Sequence, residues 1–277
     1  MKILISADME GVTGVTWPAD VLPGASQWER CRHLFTSDVN AAVAGFFAGG
    51  ADEVLVNEAH WSMRNLLLEE LDERATLLTG KHKSLSMVEG VQHGDVDGIA
   101  FVGYHAAAGA EGVLAHTYLA NSLTGVWVDG TRASEGLLNS LVVAEYGVPV
   151  VLVTGDDRTC EDAKRYAPDA RSVAVKDYVS RYAAVCRPPA RTAADIRAAA
   201  REATALAVRH EPVRGGPFTL ELEFDAEHLA GQATCVPGVE QCGERRVSYT
   251  TPTMYEGIRC FKAVTTVVSA SVEEQYG

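Results

Sequence analysis

The chain has 277 residues, 47% of them hydrophobic, and a formal net charge of −13. That size and apolar content can bury one large core, alone or with a small second lobe, while the acidic balance argues against nucleic-acid partners, which need a basic face to displace counterions. The longest apolar stretch, Val142–Val153, is broken by Glu145, Gly147 and Pro149 and falls short of the ~20 residues of a membrane span; with no signal-peptide pattern at the start, the expected setting is the cytoplasm, without a membrane partner.

Lys2–Ala7 is a short apolar run rich in β-branched residues, the pattern of a buried strand, and Gly11 and Gly14 close it. Asp8 and Glu10 stand at the C-terminal end of that strand, two apart, so both carboxylates point to one side of an extended chain. Ser26–Phe47 reads as a helix that Ser26 can cap and Gly49-Gly50 stops. Glu53–Asn57 is a second strand, completing a strand-helix-strand unit with parallel pairing, and His60 follows it. Ala75–Thr79 and Ser86–Gly90 have no decisive pattern, whereas Gly98–Gly103 is a clear strand that ends in Tyr104-His105. Gly112–Tyr118, which contains His116, and Val126–Gly130 read as a short hairpin or meander with Asp129-Gly130 as its turn. Ala133–Tyr146 is a helix with Glu135 in its first turn, where the helix dipole favours an acid.

Pro149–Thr154 and Ser172–Val175 are further strands, separated by a helix from about Thr159 to Tyr166. An Ala- and Arg-rich helix from Thr192 to about Arg209 is expected to cover the outside of the sheet, and Pro212–Pro217 is the linker candidate. Beyond it come strands at Phe218–Phe224 and Arg245–Tyr249, a short helix near 225–230, and a long helix from Thr253 to about Gln275. The expected fold is α/β: a mostly parallel central sheet flanked by helices over residues 1–211, with a smaller C-terminal α+β lobe at 212–277, separate or packed into the same domain. Cys31, Cys160, Cys186, Cys235, Cys242 and Cys260 show no two-residue spacing, so free and mostly buried thiols are expected.

Three strand ends and one helix start thus deliver metal-capable side chains to one rim: Asp8 with Glu10, His60, His105 and Glu135. Each alone is also what an ordinary polar turn or first helical turn contains; their joint placement points to a metal, because ligands converge from distant parts of a chain. Mixed carboxylates and imidazoles suit zinc, with manganese or cobalt as substitutes. Five ligands exceed the need of one catalytic zinc, and two ions sharing Asp8, with one hydroxide between them, account for the excess. His116 is not needed in that set and is placed to shuttle a proton or stabilise an oxyanion. Asn57, Glu58, Asn139 and Asp156 also fall at the rim, as second-layer support or as partners for a substrate ammonium.

The motifs Ser6-Ala-Asp-Met-Glu-Gly-Val-Thr-Gly14, Val56-Asn-Glu-Ala-His60, Ser86-Met-Val-Glu-Gly90, Gly103-Tyr-His-Ala106, Ala115-His-Thr117, Ser134-Glu-Gly-Leu-Leu-Asn139 and Gly155-Asp-Asp-Arg158 together resemble the D-aminopeptidase family of zinc peptidases, peptidase family M55. They run in order through nearly the whole chain. The resemblance implies two zinc ions per subunit bridged by Asp8, with Glu10 and His105 completing one site and His60 and Glu135 the other. It implies a catalytic role for His116 as nucleophile, acid-base group or oxyanion stabiliser. It further implies hydrolysis of the N-terminal amide of short peptides or aminoacyl amides, and a homo-oligomer, a decameric ring enclosing the active sites. Glu58-Ala59 and Thr117-Tyr118 stand where the family carries Asp-Ser and Ser-Met, changes that flank the site and bear on substrate more than on metal.

Two rival readings stay open on the sequence. Asp-x-Glu-Gly-x-Thr after a first strand superficially resembles haloacid-dehalogenase-like magnesium phosphohydrolases, although a hard magnesium site leaves His60 and His105 unexplained. A non-catalytic metal-binding oligomeric protein is the other, and it gives His116 no work.

Overall fold

The computed structural model describes residues 1–213 and 215–272. Its elements in chain order are β1 (Lys2–Ala7), α1 (Pro18–Val21), α2 (Ser26–Gly49), β2 (Glu53–Glu58), β3 (Thr76–Leu78), β4 (Gly98–Val102), β5 (Leu123–Val128), β6 (Thr131–Arg132), α3 (Glu135–Ala144), β7 (Val150–Asp156), α4 (Asp157–Tyr166), β8 (Arg171–Ser180), β9 (Ala183–Cys186), α5 (Pro189–Ala203), β10 (Phe218–Phe224), α6 (Glu227–Ala233), β11 (Glu240–Gln241), β12 (Arg246–Thr251) and α7 (Met254–Ser269).

The main sheet has the order β3-β2-β1-β4-β7-β8-β9 and is parallel except for β9, which returns antiparallel along β8. The chain builds outward from β1 through β2 to β3, then crosses back to β4 on the other side of β1. That reversal opens a crevice at the C-terminal ends of β1 and β4, where α/β sheets bind ligands. Alternation along the strands fills two cores. Ile3, Ile5, Val54, Val56, Ala100 and Val102 pack with α2 and α5, while Leu4, Ile99 and Phe101 pack on the opposite face with α3, α7 and the second sheet.

That second sheet is antiparallel, in the order β11-β12-β10-β5-β6. Its strands β5 and β6 come from inside the segment 1–211, so the sheets do not respect a boundary at residue 212. Phe261, Val264 and Val268 of α7 share one core with Leu138 and Val142 of α3 and Phe101 of β4, which ties the lobe to the main sheet.

Several local expectations change. Gly112–Tyr118 is a loop, and the hairpin is β5–β6 alone, turning on Asp129 (φ 48°) and Gly130 (φ 76°) as a two-residue turn with both residues left-handed requires. Ser26 does not cap α2: Ala25 occupies the cap position and the Ser26 hydroxyl bonds Gln27, but Gly50 (φ 103°) does terminate the helix. The helix expected from Thr192 starts earlier, at Pro189, and ends at Ala203, because Thr204–Leu206 tightens into a 3₁₀ turn. Residues 273–275 of the expected last helix lie outside the described residues. All six cysteines are free, but Cys186, Cys235 and Cys242 are exposed rather than buried. Among the described residues, no helix is long and apolar enough to cross a membrane.

Candidate metal centre

The register of the three central strands sets the site. Ala7 pairs with Glu58 of β2 and Val102 of β4, so Asp8 follows its strand by one residue, His60 by two and His105 by three. The main-chain ladder continues past the strands: the Asp8 N–H donates to Val102 O (2.8 Å) and the Ala59 N–H to Ala7 O (2.8 Å). Beyond that point the loops after β1 and β4 touch, with the Gly11 N–H on Gly103 O at 2.7 Å. Neither glycine has room for a side chain. A Cβ on Gly11 would lie 1.9 Å from Tyr104 O, and one on Gly103, itself at φ 74°, would lie 2.1 Å from Asp8 O. Glu135 enters from a fourth direction as the first residue of α3, whose cap Ser134 accepts the Leu137 N–H.

Asp8, Glu10, His60, His105 and Glu135 meet there, each between 2% and 4% exposed. Asp8 reaches two ways: its Oδ1 lies 3.5 Å from His60 Nδ1 and its Oδ2 lies 3.4 Å from His105 Nε2. Glu10 Oε2 lies 3.0 Å from His60 Nδ1, and Glu135 Oε2 lies 3.4 Å from His105 Nε2. One ligand atom each from Asp8, Glu10 and His105 falls within 4.8 Å of the others, as does one each from His105, His116 and Glu135. His116 stacks on His105 with ring centroids 4.2 Å apart and presents Nε2 at 3.8 Å from Glu10 Oε1.

The second nitrogen of each imidazole decides what these contacts can be. His60 Nε2 lies 2.9 Å from Val21 O, His105 Nδ1 lies 3.0 Å from Ala106 O, and His116 Nδ1 lies 2.9 Å from Leu114 O. A carbonyl only accepts, so in each ring the proton sits on that nitrogen. When the ring is neutral, as a metal ligand must be, its other nitrogen aims a lone pair into the space shared with the carboxylate oxygens. Asp8 Oδ2, Glu10 Oε2 and His105 Nε2 are buried with no hydrogen-bond partner. Lone pairs converging from imidazole and carboxylate in a dry site are favourable only around a cation. The donor set therefore fits a divalent metal of the zinc type.

The titration behaviour has the same origin. Burial would lower the His60 and His105 pKa values, but the carboxylates of Glu10 and Asp8 on one and Glu135 and Asp8 on the other hold them well above the ordinary imidazole range. Burial would raise Glu10 and Glu135, yet His60 with its neighbours pulls Glu10 far down and His105 pulls Glu135 down. Positive charge is stabilised at the centre of the cluster, whether protons or metal ions supply it.

The other rim residues are structural. Glu58 accepts the Asn65 and Leu66 N–H groups, Asn57 donates to Ser86 O and Met87 O, and Asp156 caps α4 while accepting the Val113 N–H. Their hydrogen bonds shape the loops around the site. Asn139 bonds the buried Tyr104 hydroxyl, which in turn bonds Ser6. Backbone strain brackets the site: Trp61 (φ 45°) and Met63 (φ 56°) follow His60, and Leu114 (φ 53°) and Tyr118 (φ 59°) flank His116. Two contacts escape sequence reading. The Tyr118 N–H donates to Glu135 Oε1 at 2.8 Å, and the buried Lys176 of β8 bonds the loop after β1, its ammonium pushed down to about 8 by burial.

A family model described as D-aminopeptidase, peptidase family M55, matches residues 1–263. The chain belongs to the D-aminopeptidase family. A curated D-aminopeptidase from Bacillus subtilis (strain 168) is 34% identical over 272 residues, 96% of this chain and 97% of the relative. A solved structure described as the Zn-dependent D-aminopeptidase DppA from Bacillus subtilis, a self-compartmentalizing protease, matches with a TM-score of 0.91 at 32% identity, covering 97% of this chain and 98% of that one. Membership makes the chain a metal-dependent hydrolase of the peptidase class and sets aside the phosphohydrolase and non-catalytic readings. The mostly parallel sheet with flanking helices and a second antiparallel sheet is the fold it shares with that structure.

Proposed function

We propose that this protein is a zinc-dependent D-aminopeptidase that removes the N-terminal residue of short peptides or aminoacyl amides. Two zinc ions per subunit would be held by Asp8, shared between them, by Glu10 with His105, and by His60 with Glu135. The observation that carries the reading is the set of locked imidazoles whose free nitrogens face three buried carboxylates, leaving Asp8 Oδ2, Glu10 Oε2 and His105 Nε2 without partners. Contacts between Glu10 and His60 and between Glu135 and His105 also support the alternative division of the same ligands about Asp8. When bound, such ions polarise a scissile carbonyl and make water nucleophilic at neutral pH.

The chain's own groups supply the rest. Asp8, Glu10 and Glu135 concentrate negative charge in a dry crevice. His116, more exposed than the ligand histidines, keeps its Nδ1 proton on Leu114 O and can accept or deliver a proton at Nε2 beside the reacting atoms, which suits protonation of the leaving amine. Hydrogen-bonded Glu135 is oriented by the Tyr118 main chain. Assembly into a homo-oligomeric ring, a decamer enclosing the sites, is supported by the self-compartmentalizing relative and by the exposed side chains of Leu22 and Trp61 in the segments that bracket His60. A cytoplasmic location completes the reading.

Metal analysis of the purified protein and hydrolysis of matched D- and L-aminoacyl amides test it together. About two zinc ions per chain, chelator-sensitive turnover and preference for the D-series are expected. Undiminished hydrolysis after complete metal removal, or activity confined to L-substrates, overturns it.

A further inference from the structure

Lys176 sits on β8 opposite Asp156, with its side chain fully buried. Its ammonium donates to three main-chain carbonyls of one loop: Glu10 O at 2.6 Å, Val12 O at 3.0 Å and Val15 O at 2.6 Å. An ammonium has three N–H donors and no acceptor, so all of its hydrogen-bonding capacity goes to this loop. The loop turns twice, with the Val12 N–H on Met9 O and the Val15 N–H on Val12 O, and these turns bring the three carbonyls together. Converging carbonyl dipoles repel one another unless a cation lies between them.

The loop has other anchors of a different kind, among them the Thr13 hydroxyl on Thr192 Oγ1 at 2.9 Å. The Thr13 N–H and hydroxyl bond Asp38 at 2.9 and 3.0 Å, and the Gly11 N–H bonds Gly103 O. These hold the middle of the loop and its contact with β4. Among the described residues, only Lys176 grips the main chain of Glu10 itself, the residue whose carboxylate enters the site.

We propose that Lys176 is a positioning residue for the metal centre: by clamping the Glu10, Val12 and Val15 carbonyls it fixes the Glu10 carboxylate, and it sets the affinity of the metal ion that Glu10 holds. This rests on the two-zinc reading above. Metal sites tolerate ligand displacements of only ~0.2 Å, so a released Glu10 main chain weakens one ion and leaves the one without Glu10 in place. A residue that merely stabilises the fold would affect both ions alike.

The experiment compares the wild type with Lys176→Met, which keeps the length and removes the donors. Zinc content is measured after dialysis against graded chelator, and zinc affinity by competition with a chromophoric chelator. The wild type is measured first: failure to bind two zinc ions removes the underlying reading and this proposal with it. For a folded Lys176→Met protein, one ion retained at native affinity and the other weakened roughly tenfold to a hundredfold is expected, with turnover restored by excess zinc. Two ions at native affinity, or equal weakening of both, overturns the proposal. Should Lys176→Met not fold, Lys176→Gln, whose shorter neutral side chain leaves at least one of the three carbonyls without its donor, is measured in its place against the same outcomes.

Discussion

Replacing Gly11 by alanine tests how tightly the site depends on the contact between the loops after β1 and β4. The new Cβ would lie 1.9 Å from Tyr104 O, 2.5 Å from the Gly103 carbonyl carbon and 2.7 Å from Gly103 O. All three are main-chain atoms, so no rotamer change relieves them. To reach the 3.0 Å that real Cβ contacts respect, the loops must part by about 1 Å. Asp8 and Glu10 move with one loop and His105 with the other, across a gap that is 3.4 Å between Asp8 Oδ2 and His105 Nε2. A shift of that size exceeds the ~0.2 Å tolerance of a metal ligand several-fold. Misplacement by ~1 Å costs on the order of a hundredfold in rate, and forced overpacking costs about 1–3 kcal/mol in stability. The assay is turnover of a D-aminoacyl amide with zinc content on the same sample, alongside a thermal melt. Wild-type turnover and zinc content in Gly11→Ala would show that the loops do not set the metal geometry, and the reasoning from loop contact would be wrong.

Three further outcomes follow from the same geometry. His116→Ala is expected to lower kcat by a factor of about 10²–10⁴, as for loss of an acid-base group, with zinc content unchanged; loss of metal instead would reassign His116 as a ligand. Zinc added to stripped protein near pH 7 should expel protons, because the facing carboxylates hold the His60 and His105 pKa values well above the ordinary imidazole range and a metal must displace those protons; calorimetry in buffers of different ionisation enthalpy detects them, and no release contradicts the electrostatics. Burial pushes Asp38 up to about 6 against its bonds from Thr13, so its contribution to stability, full below pH 4, is lost as pH rises through 6. With ~3 kcal/mol at stake, the melting temperature of the wild type minus that of Asp38→Asn should fall between pH 4.5 and 7, and a flat difference refutes the assignment.

The strands and the carboxylate-histidine set were legible because each follows from local pattern. A short β-branched run flanked by glycine fixes β1, and a residue just beyond a parallel strand has only one rim to occupy. What the sequence did not expose is pairing between distant segments. β5 and β6 join the second sheet through β10, almost a hundred residues later, and nothing in Leu123–Arg132 marks that partner. The loop Gly112–Tyr118 has the alternation of a strand but makes isolated main-chain bonds, Leu114 N–H to Arg181 O and His116 N–H to Ala106 O, rather than a ladder; left-handed Leu114 and Tyr118 turn it so that His116 stacks on His105. Glu58 and Asp156 read as free acids at the rim, and only the folded loops reveal the N–H groups that occupy them. Lys176 was invisible for the same reason, since its partners are main-chain carbonyls more than 160 residues earlier.

Burying three carboxylates within a few ångströms is unfavourable unless positive charge joins them. Protons on His60 and His105 can serve, and so can metal ions, and the fold does not treat the two alike. Each imidazole already donates one N–H to a backbone carbonyl, which fixes the ring and leaves one nitrogen for the acids. If protons alone were the intended counter-charge, the N–H groups they create should point along hydrogen bonds to carboxylate oxygens. Instead, Asp8 Oδ2, Glu10 Oε2 and His105 Nε2 lie close to oppositely charged groups yet lack an aligned partner. Distances of 3.0–3.5 Å between these ligand atoms are wide for a charge-assisted hydrogen bond. They suit two ligands approaching a common ion at ~2 Å each, roughly at a tetrahedral angle. The spacing of the cluster therefore favours a metal over a proton, and it is set by strand register and glycine contacts that exist before any ion binds.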